Sequence, residues 1–287
     1  MIANNLRRFL ALGVVASSLF LLPAAFGQTK NLVYTNGNIP NNGANAVYGF
    51  SNDGAGNLTP LPGSPYATGG TGVAFGNLTD NQWDSESEII ANKAGTLMFA
   101  VNGHSNTISV FNINADGSLS LHGNYFSGGT QPASIALRED FSPGVGLLVV
   151  VNKDSDPGQT PTQPNYTSFD VAADGTLTIN AASTLNRPVG SSLAQALMLQ
   201  GAAVQFFGVE FLNSTMANYS VKLDKTFKQN SSVTPPFTIA GVVLGAVVHP
   251  TLKYVYVAQP AEHKLDVYKY DIKGILTFVH QSGNSAG

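Results

Sequence analysis

Five short apolar runs recur along this chain at similar spacing. They are "LVYTNG" from residue 32, "LMFAVNG" from 97, "LLVVVNK" from 147, "VQFFGVE" from 204 and "YVYVAQ" from 254, which are 50 to 65 residues apart. Each is β-branched or aromatic, too short for a globular helix, and ends in a polar loop, so each reads as a strand. Short strands repeating at about 40–50 residues are the pattern of propeller blades. The repeat therefore predicts an all-β chain, a β-propeller of four-stranded antiparallel blades with about five blades present.

The units divide further. In the second, the strands are expected at Glu88–Ala91, Leu97–Val101, Thr107–Ile113 and Ser118–Tyr125. In the third they are expected at Ala133–Leu137, Leu147–Val151, Thr167–Val171 and Thr176–Ser183. Asp53-Gly54, Asp116-Gly117 and Asp174-Gly175 join the third and fourth strands, and Asp-Gly is expected to supply the positive φ angles of a hairpin turn. Asp224-Lys225 and Lys273-Gly274 take the matching places in the last two units. The run "GLLVVVN" is apolar throughout, as a strand covered on both faces by neighbouring blades should be.

Between residues 31 and 281, "NTISVFNINADGSLSL" and "HPTLKYVYVA" resemble the lactonase-like β-propellers, the group that includes bacterial 6-phosphogluconolactonase and the YVTN-repeat surface proteins. The resemblance implies a bacterial source and seven blades, where five are counted here. The first unit has no innermost strand before "NLVYTNG", and a closing strand would have to follow Gly287. An open propeller, or a truncated piece of a seven-bladed one, is the expectation.

The first 27 residues read differently. Arg7 and Arg8, an apolar run from Phe9 to Leu22 and the small-residue ending Ala25-Phe26-Gly27 form a signal peptide with cleavage before Gln28. The apolar run is short for a membrane span. The propeller domain is thus residues 28–287, secreted or periplasmic, with no membrane span after cleavage. Removing the leader leaves 12 Lys+Arg against 17 Asp+Glu, a net charge of −5. Such a chain lacks the basic footprint of a nucleic-acid binder. It has no cysteine, which excludes disulfides and thiolate metal sites.

Blade topology sorts the polar residues. The loop from the second to the third strand and the crossing to the next blade emerge on one face. That face receives His104, Asp154, Asp156, Arg187, Glu210, Glu262 and His263, while the opposite face receives the Asp-Gly turns. In family members that act on lactones, a Glu often follows the second strand in a motif like "VVNELNSTV"; "GVEFLNSTMANY" resembles it with one extra residue and places Glu210 there. The resemblance implies Glu210 as base or water-orienting group and Arg187 as anion clamp, both near the axis with Asp154 or His104 opposite. It fails in the last unit, where Gln259-Pro260 stands, and it lacks the His–Pro-Asp-Gly pairing common in the enzymes.

The crossing from Gly69 to Glu88 carries Asp80, Trp83, Asp84 and Glu86. An aromatic face beside carboxylates suits a sugar ring or a cation, and a Trp that pins a long loop to its blade is an equal reading. His104 and His263 lack the spacing of a metal pair, so neither a metal nor a cofactor is expected. His249 precedes Pro250 and shapes a turn. Six Asn-X-Ser/Thr sequons are attributed to an Asn-, Ser- and Thr-rich composition.

Two functions are consistent with this reading. The favoured one is a non-catalytic extracellular or cell-surface module binding a glycan or a protein, with Trp83, Asp80, Asp84, His104 and Asp154 as ligand-binding residues. The alternative is a hydrolase that opens a small sugar lactone through Glu210 and Arg187. Fold does not choose between them.

Overall fold

A computed structural model describes residues 31–74, 87–201, 203–236 and 242–283. They form five antiparallel sheets in chain order, each a blade. Blade 1 contains β1 (Asn31–Asn36), β2 (Ala46–Asn52), β3 (Leu58–Pro60) and β4 (Tyr66–Ala67). Blade 2 contains β5 (Ile89–Ala91), β6 (Leu97–Asn102), β7 (Thr107–Ile113) and β8 (Leu119–Phe126). Blade 3 contains β9 (Pro132–Ser142), β10 (Val145–Asn152), β11 (Asn165–Val171), β12 (Leu177–Ile179) and β13 (Leu185–Asn186). Blade 4 contains β14 (Leu193–Met198), β15 (Gln205–Glu210), β16 (Thr215–Val221) and β17 (Phe227–Val233). Blade 5 contains β18 (Ala246–Val248), β19 (Tyr254–Gln259), β20 (Lys264–Tyr270) and β21 (Leu276–Gln281).

Blades 2, 4 and 5 are simple four-stranded meanders. In blade 1, β3 and β4 share the outer side of β2, and among the described residues β1 pairs only with β2. Among the described residues no innermost strand lies beside β1 in blade 1.

The expected outer strand of blade 3, Thr176–Ser183, is interrupted. Residues Ala181–Ser183 make a 3₁₀ turn between β12 and β13. Ser183 causes the break: its Oγ accepts the Ser168 N–H at 2.9 Å and donates to the Asn180 carbonyl at 2.7 Å. A hydroxyl thus takes a ladder position that a backbone carbonyl would fill.

The hairpin turns fall where expected, with a different mechanism. Gly54, Gly117 and Gly175 have φ of +85°, +89° and +92°, and the Asp before each stays at negative φ. The Asp acts through its side chain: Asp116 Oδ1 accepts the Ser118 N–H and Asp174 Oδ1 the Thr176 N–H, both at 2.9 Å. The Thr176 hydrogen bonds hold the Asp174 carboxyl below its ordinary range.

Four apolar clusters hold the blades together, one between each consecutive pair. Phe99, Val101 and Val110 of blade 2 meet Ile135, Leu148 and Phe169 of blade 3. Val149, Val151 and Tyr166 of blade 3 meet Phe206, Ala217 and Tyr219 of blade 4. Among the described residues no cluster joins blade 5 to blade 1.

Candidate functional site

The second strand of each of blades 2 to 5 ends in an amide or a carboxyl side chain: Asn102, Asn152, Glu210 and Gln259, facing Thr107, Asn165, Thr215 and Lys264 across the ladder. Asn102 Nδ2 donates to Thr107 Oγ1 at 3.0 Å and Ser109 Oγ at 2.7 Å. Asn152 Nδ2 donates to Asn165 Oδ1 at 2.9 Å and the Ser127 carbonyl at 3.2 Å. These buried amides tie the second strand to the third, and Asn152 also reaches the crossing from blade 2. The loops that follow them build one face of the molecule.

Glu210 occupies this position in blade 4 with a group that can only accept. Its side chain is 1 % exposed, and Oε1 takes the Nε–H of Arg187 at 2.6 Å. Asn213 Nδ2 donates to Oε2 at 3.1 Å and the Tyr219 hydroxyl approaches Oε1 at 3.5 Å. Arg187 belongs to the crossing from blade 3, where its N–H binds the Pro164 carbonyl. Its guanidinium also lies 5.9 Å from the Tyr219 ring centre. Burial acts to lower the Arg187 pKa, yet the Glu210 hydrogen bond carries it above its usual value. The pair bridges two blades and is nearly sealed from water.

Beneath it lies Tyr166, fully buried, whose hydroxyl has no hydrogen-bond partner. Burial raises this hydroxyl well above its ordinary pKa, with Tyr219 and Glu210 adding to the shift. Gly208 leaves the room it needs: a Cβ there would stand 2.4 Å from the Tyr166 oxygen.

A second pair on the same face is built the other way. His104, in the β6–β7 loop, places Nδ1 2.7 Å from Oδ2 of Asp156, in the β10–β11 loop of the next blade. The Asp156 side chain is 0 % exposed and that of His104 is 41 % exposed. Gln159 Nε2 donates to both Asp156 Oδ2 and the His104 carbonyl at 2.8 Å, and the Gly158 N–H binds Asp156 Oδ1 at 2.8 Å. The His104 ring lies over Gly158, where a Cβ would sit 3.0 Å from Cε1. A buried carboxylate thus fixes one ring nitrogen of a partly exposed imidazole. In a neutral imidazole, donation from Nδ1–H to such a carboxylate leaves the lone pair on Nε2.

The sequence-selected residues therefore gather as two separate pairs, Glu210 with Arg187 and His104 with Asp156. Asp154 joins neither; both of its carboxylate oxygens accept the Thr162 N–H, at 2.9 and 3.0 Å, and close its own loop. Glu262 pairs with Lys264 at 2.6 Å. Asp80, Trp83, Asp84 and Glu86 lie outside the described residues. Among the described residues no group of three or more His, Asp or Glu side chains is placed to hold a metal. The roles of Gln159, Asn213, Tyr166 and Tyr219 went unpredicted, as did buried Lys153, whose ammonium sits 5.7 Å from the Phe211 ring centre. Aligning the strand ends would have placed Glu210 in a row of structural amides, which is a signal for a tie between blades.

No known family model and no curated protein matches the chain. Solved structures do match. A protein from Lactobacillus plantarum is 20 % identical with a TM-score of 0.63, covering 88 % of this chain and 68 % of its own. A candidate 6-phosphogluconolactonase from Bacteroides uniformis is 15 % identical with a TM-score of 0.63, covering 88 % and 69 %. The periplasmic gluconolactonase of Pseudomonas aeruginosa is 13 % identical with a TM-score of 0.62, covering 90 % and 70 %. Together with the five sheets and their register, these likenesses identify the chain's fold as a β-propeller, shared with these solved structures.

Proposed function

We propose that this protein is an exported hydrolase that opens a small sugar lactone, with His104 as general base and Asp156 as the residue that orients it. The observation that carries the reading is the 2.7 Å contact between an exposed imidazole and a fully buried carboxylate. Two of the structural neighbours bear lactonase names, which favours hydrolysis over a purely binding role. The leader read in residues 1–27 supports export, and one neighbour is itself periplasmic.

Lactone opening begins when water adds to the ring carbonyl. His104 Nε2 takes the water proton as the new C–O bond forms, and the carbonyl oxygen becomes an oxyanion. Collapse of that intermediate breaks the ring C–O bond, and the imidazolium returns the proton to the departing alkoxide. Asp156 stabilises the transient imidazolium and holds the ring in place. Glu210 is assigned the supporting part: its oxygens are already bonded to Arg187, Asn213 and Tyr219, so it holds the blade 3–blade 4 side of the face.

The test is turnover of glucono-lactone and its 6-phosphate by wild type, His104→Gln and Asp156→Asn. A general base contributes about 10²–10⁴-fold, so His104→Gln is expected to lose that much with its fold intact. Undiminished turnover in His104→Gln would overturn the assignment. Absence of turnover in the wild type would return the protein to the binding reading, to be tested with Trp83→Ala on a glycan panel.

A further inference from the structure

The blades repeat a facing rule that can be read from register. In each third strand one aromatic faces the preceding blade and sits opposite an apolar residue of the second strand. The pairs are Phe111 with Met98, Phe169 with Leu148, Tyr219 with Phe206 and Tyr268 with Val255. All four aromatics are at most 2 % exposed. The same register in blade 1 gives Phe50 with Val33. There Phe50 is only half-buried and Val33 is 37 % exposed, because among the described residues no blade covers that side.

The other side of each second strand faces the following blade. Phe99 in blade 2, Val149 in blade 3 and Phe207 in blade 4 hold this position and are fully buried. In blade 5 the position belongs to Tyr256, flanked by Tyr254 and Ala258, and the burial of β19 alternates residue by residue. Val255 and Val257 pack on blade 4 and Gln259 is buried, while Tyr254, Tyr256 and Ala258 are half-exposed. Val247 lies opposite Tyr256 in the ladder and is 60 % exposed, and Leu265, opposite Ala258, is exposed too.

Blade 1 thus presents the preceding-blade half, and blade 5 the following-blade half, of an interface the chain forms four times internally. We infer that these two faces bind each other between copies: the Tyr254–Tyr256–Val247 face of blade 5 in one molecule receives the Val33–Phe50 face of blade 1 in a second. The four internal interfaces argue for this occupant, because each joins the same two kinds of face through aromatic and β-branched side chains at the same register. Such a contact is heterologous, using different patches on the two copies, so it leaves a free face at each end and propagates. The assembly should therefore grow with concentration.

Sedimentation velocity on the purified protein across a range of concentrations tests this, with Phe50→Asp and Tyr256→Lys as variants. Both side chains are already partly exposed, so the fold should survive. Val33→Asp and Val247→Lys, on the same two faces, serve should either variant unfold. The wild type is expected to show masses rising above the dimer, and each variant to self-associate at least about 30-fold more weakly, the loss of one interface hot spot. Mixing the two variants should give a capped one-to-one dimer through the single intact pair of faces. A wild type that stays monomeric at every concentration overturns the inference, whether the faces are bare or blade 5 packs on blade 1 of its own chain. A dimer that Phe50→Asp leaves intact and Tyr256→Lys abolishes overturns it as well, because the contact would then be blade 5 on blade 5.

Discussion

The two acid–base pairs on this face, His104 with Asp156 and Arg187 with Glu210, join neighbouring blades by similar distances, 2.7 and 2.6 Å. They differ in what is buried around them. In the first, only the carboxylate is enclosed, and the imidazole is 41 % exposed. In the second, the carboxylate is enclosed, the cation is only 17 % exposed, and Asn213 and Tyr219 approach the remaining acceptor positions. A group that works on a substrate must have an unused lone pair facing the place where the substrate sits. The His104 side chain is 41 % exposed and can meet a substrate, whereas that of Glu210 is 1 % exposed and already bonded through both oxygens. Proximity of charged groups on one face is therefore shared by the two pairs, and exposure is what separates them.

The largest effect that can break this comparison is removal of Glu210. Glu210→Ala would leave the Arg187 guanidinium beside Tyr219 without its anion. Breaking a buried pair from one side costs about 3–5 kcal/mol, and the partial exposure of Arg187 places this case toward the lower end. Urea unfolding should report the loss as a fall in midpoint with an unchanged slope. Glu210→Gln should lose less, because an amide oxygen can still accept from Arg187. If Glu210→Ala unfolds as the wild type does but loses turnover, the roles assigned to the two pairs are reversed.

Next in size is Gly208→Ala, which probes the packing under the sealed pair. The added Cβ would meet the Tyr166 oxygen at 2.4 Å, and the side chain of Tyr219 lies on the same side at 3.1 Å. Overpacking of this kind costs about 1–3 kcal/mol. The shift in unfolding midpoint should be accompanied by weaker near-ultraviolet dichroism from the Tyr166, Phe206 and Tyr219 cluster, whose ring centres lie 4.9 to 5.3 Å apart. No comparable effect is expected from Gly158→Ala on the open pair, where the close neighbour is the partly exposed His104 ring at 3.0 Å.

Much of the frame was legible before any coordinates. Period, apolar runs and Asp-Gly pairs place β7 at Thr107–Ile113 and the ends of β5, β6 and β8 within a residue or so. These signals are local, so a single sequence carries them. The break at Ser183 was not legible, since it depends on a hydroxyl competing for a strand position 15 residues away. Nor was the His104–Asp156 pair, because its members are 52 residues apart and meet only through the stacking of two blades. Sorting loops by face put both residues on the same side, and that is as far as topology reaches. The motif resemblance singled out Glu210, but a motif records residue type and position. It does not record that the carboxylate stands where blades 2 and 3 use Asn102 and Asn152 as structural ties.

The smallest effect, and the finest test of the contrast, is Tyr166→Phe. The Tyr166 hydroxyl is buried without a partner, at the edge of the sealed pair. A hydroxyl in that state has given up its water hydrogen bonds and gained none in return, so deleting it should be neutral or stabilising by up to about 1 kcal/mol. The pH profile supplies the sign independently. Burial holds this hydroxyl in its neutral form beyond the pH where a tyrosine of the unfolded chain ionises, near 10. Above that pH the unfolded chain releases a proton that the folded chain keeps, so this group's contribution to stability falls as pH rises. Tyr166→Phe should leave stability at pH 8 unchanged or higher and make the decline above pH 10 shallower. Thermal melts of both proteins from pH 8 to 11 would show it. Destabilisation by more than about 1 kcal/mol at pH 8 would mean that the hydroxyl has a partner after all, such as a buried water bridging it to Glu210. The enclosed pair would then be a hydrated site rather than a dry tie, and Glu210 would regain its claim to a bound water.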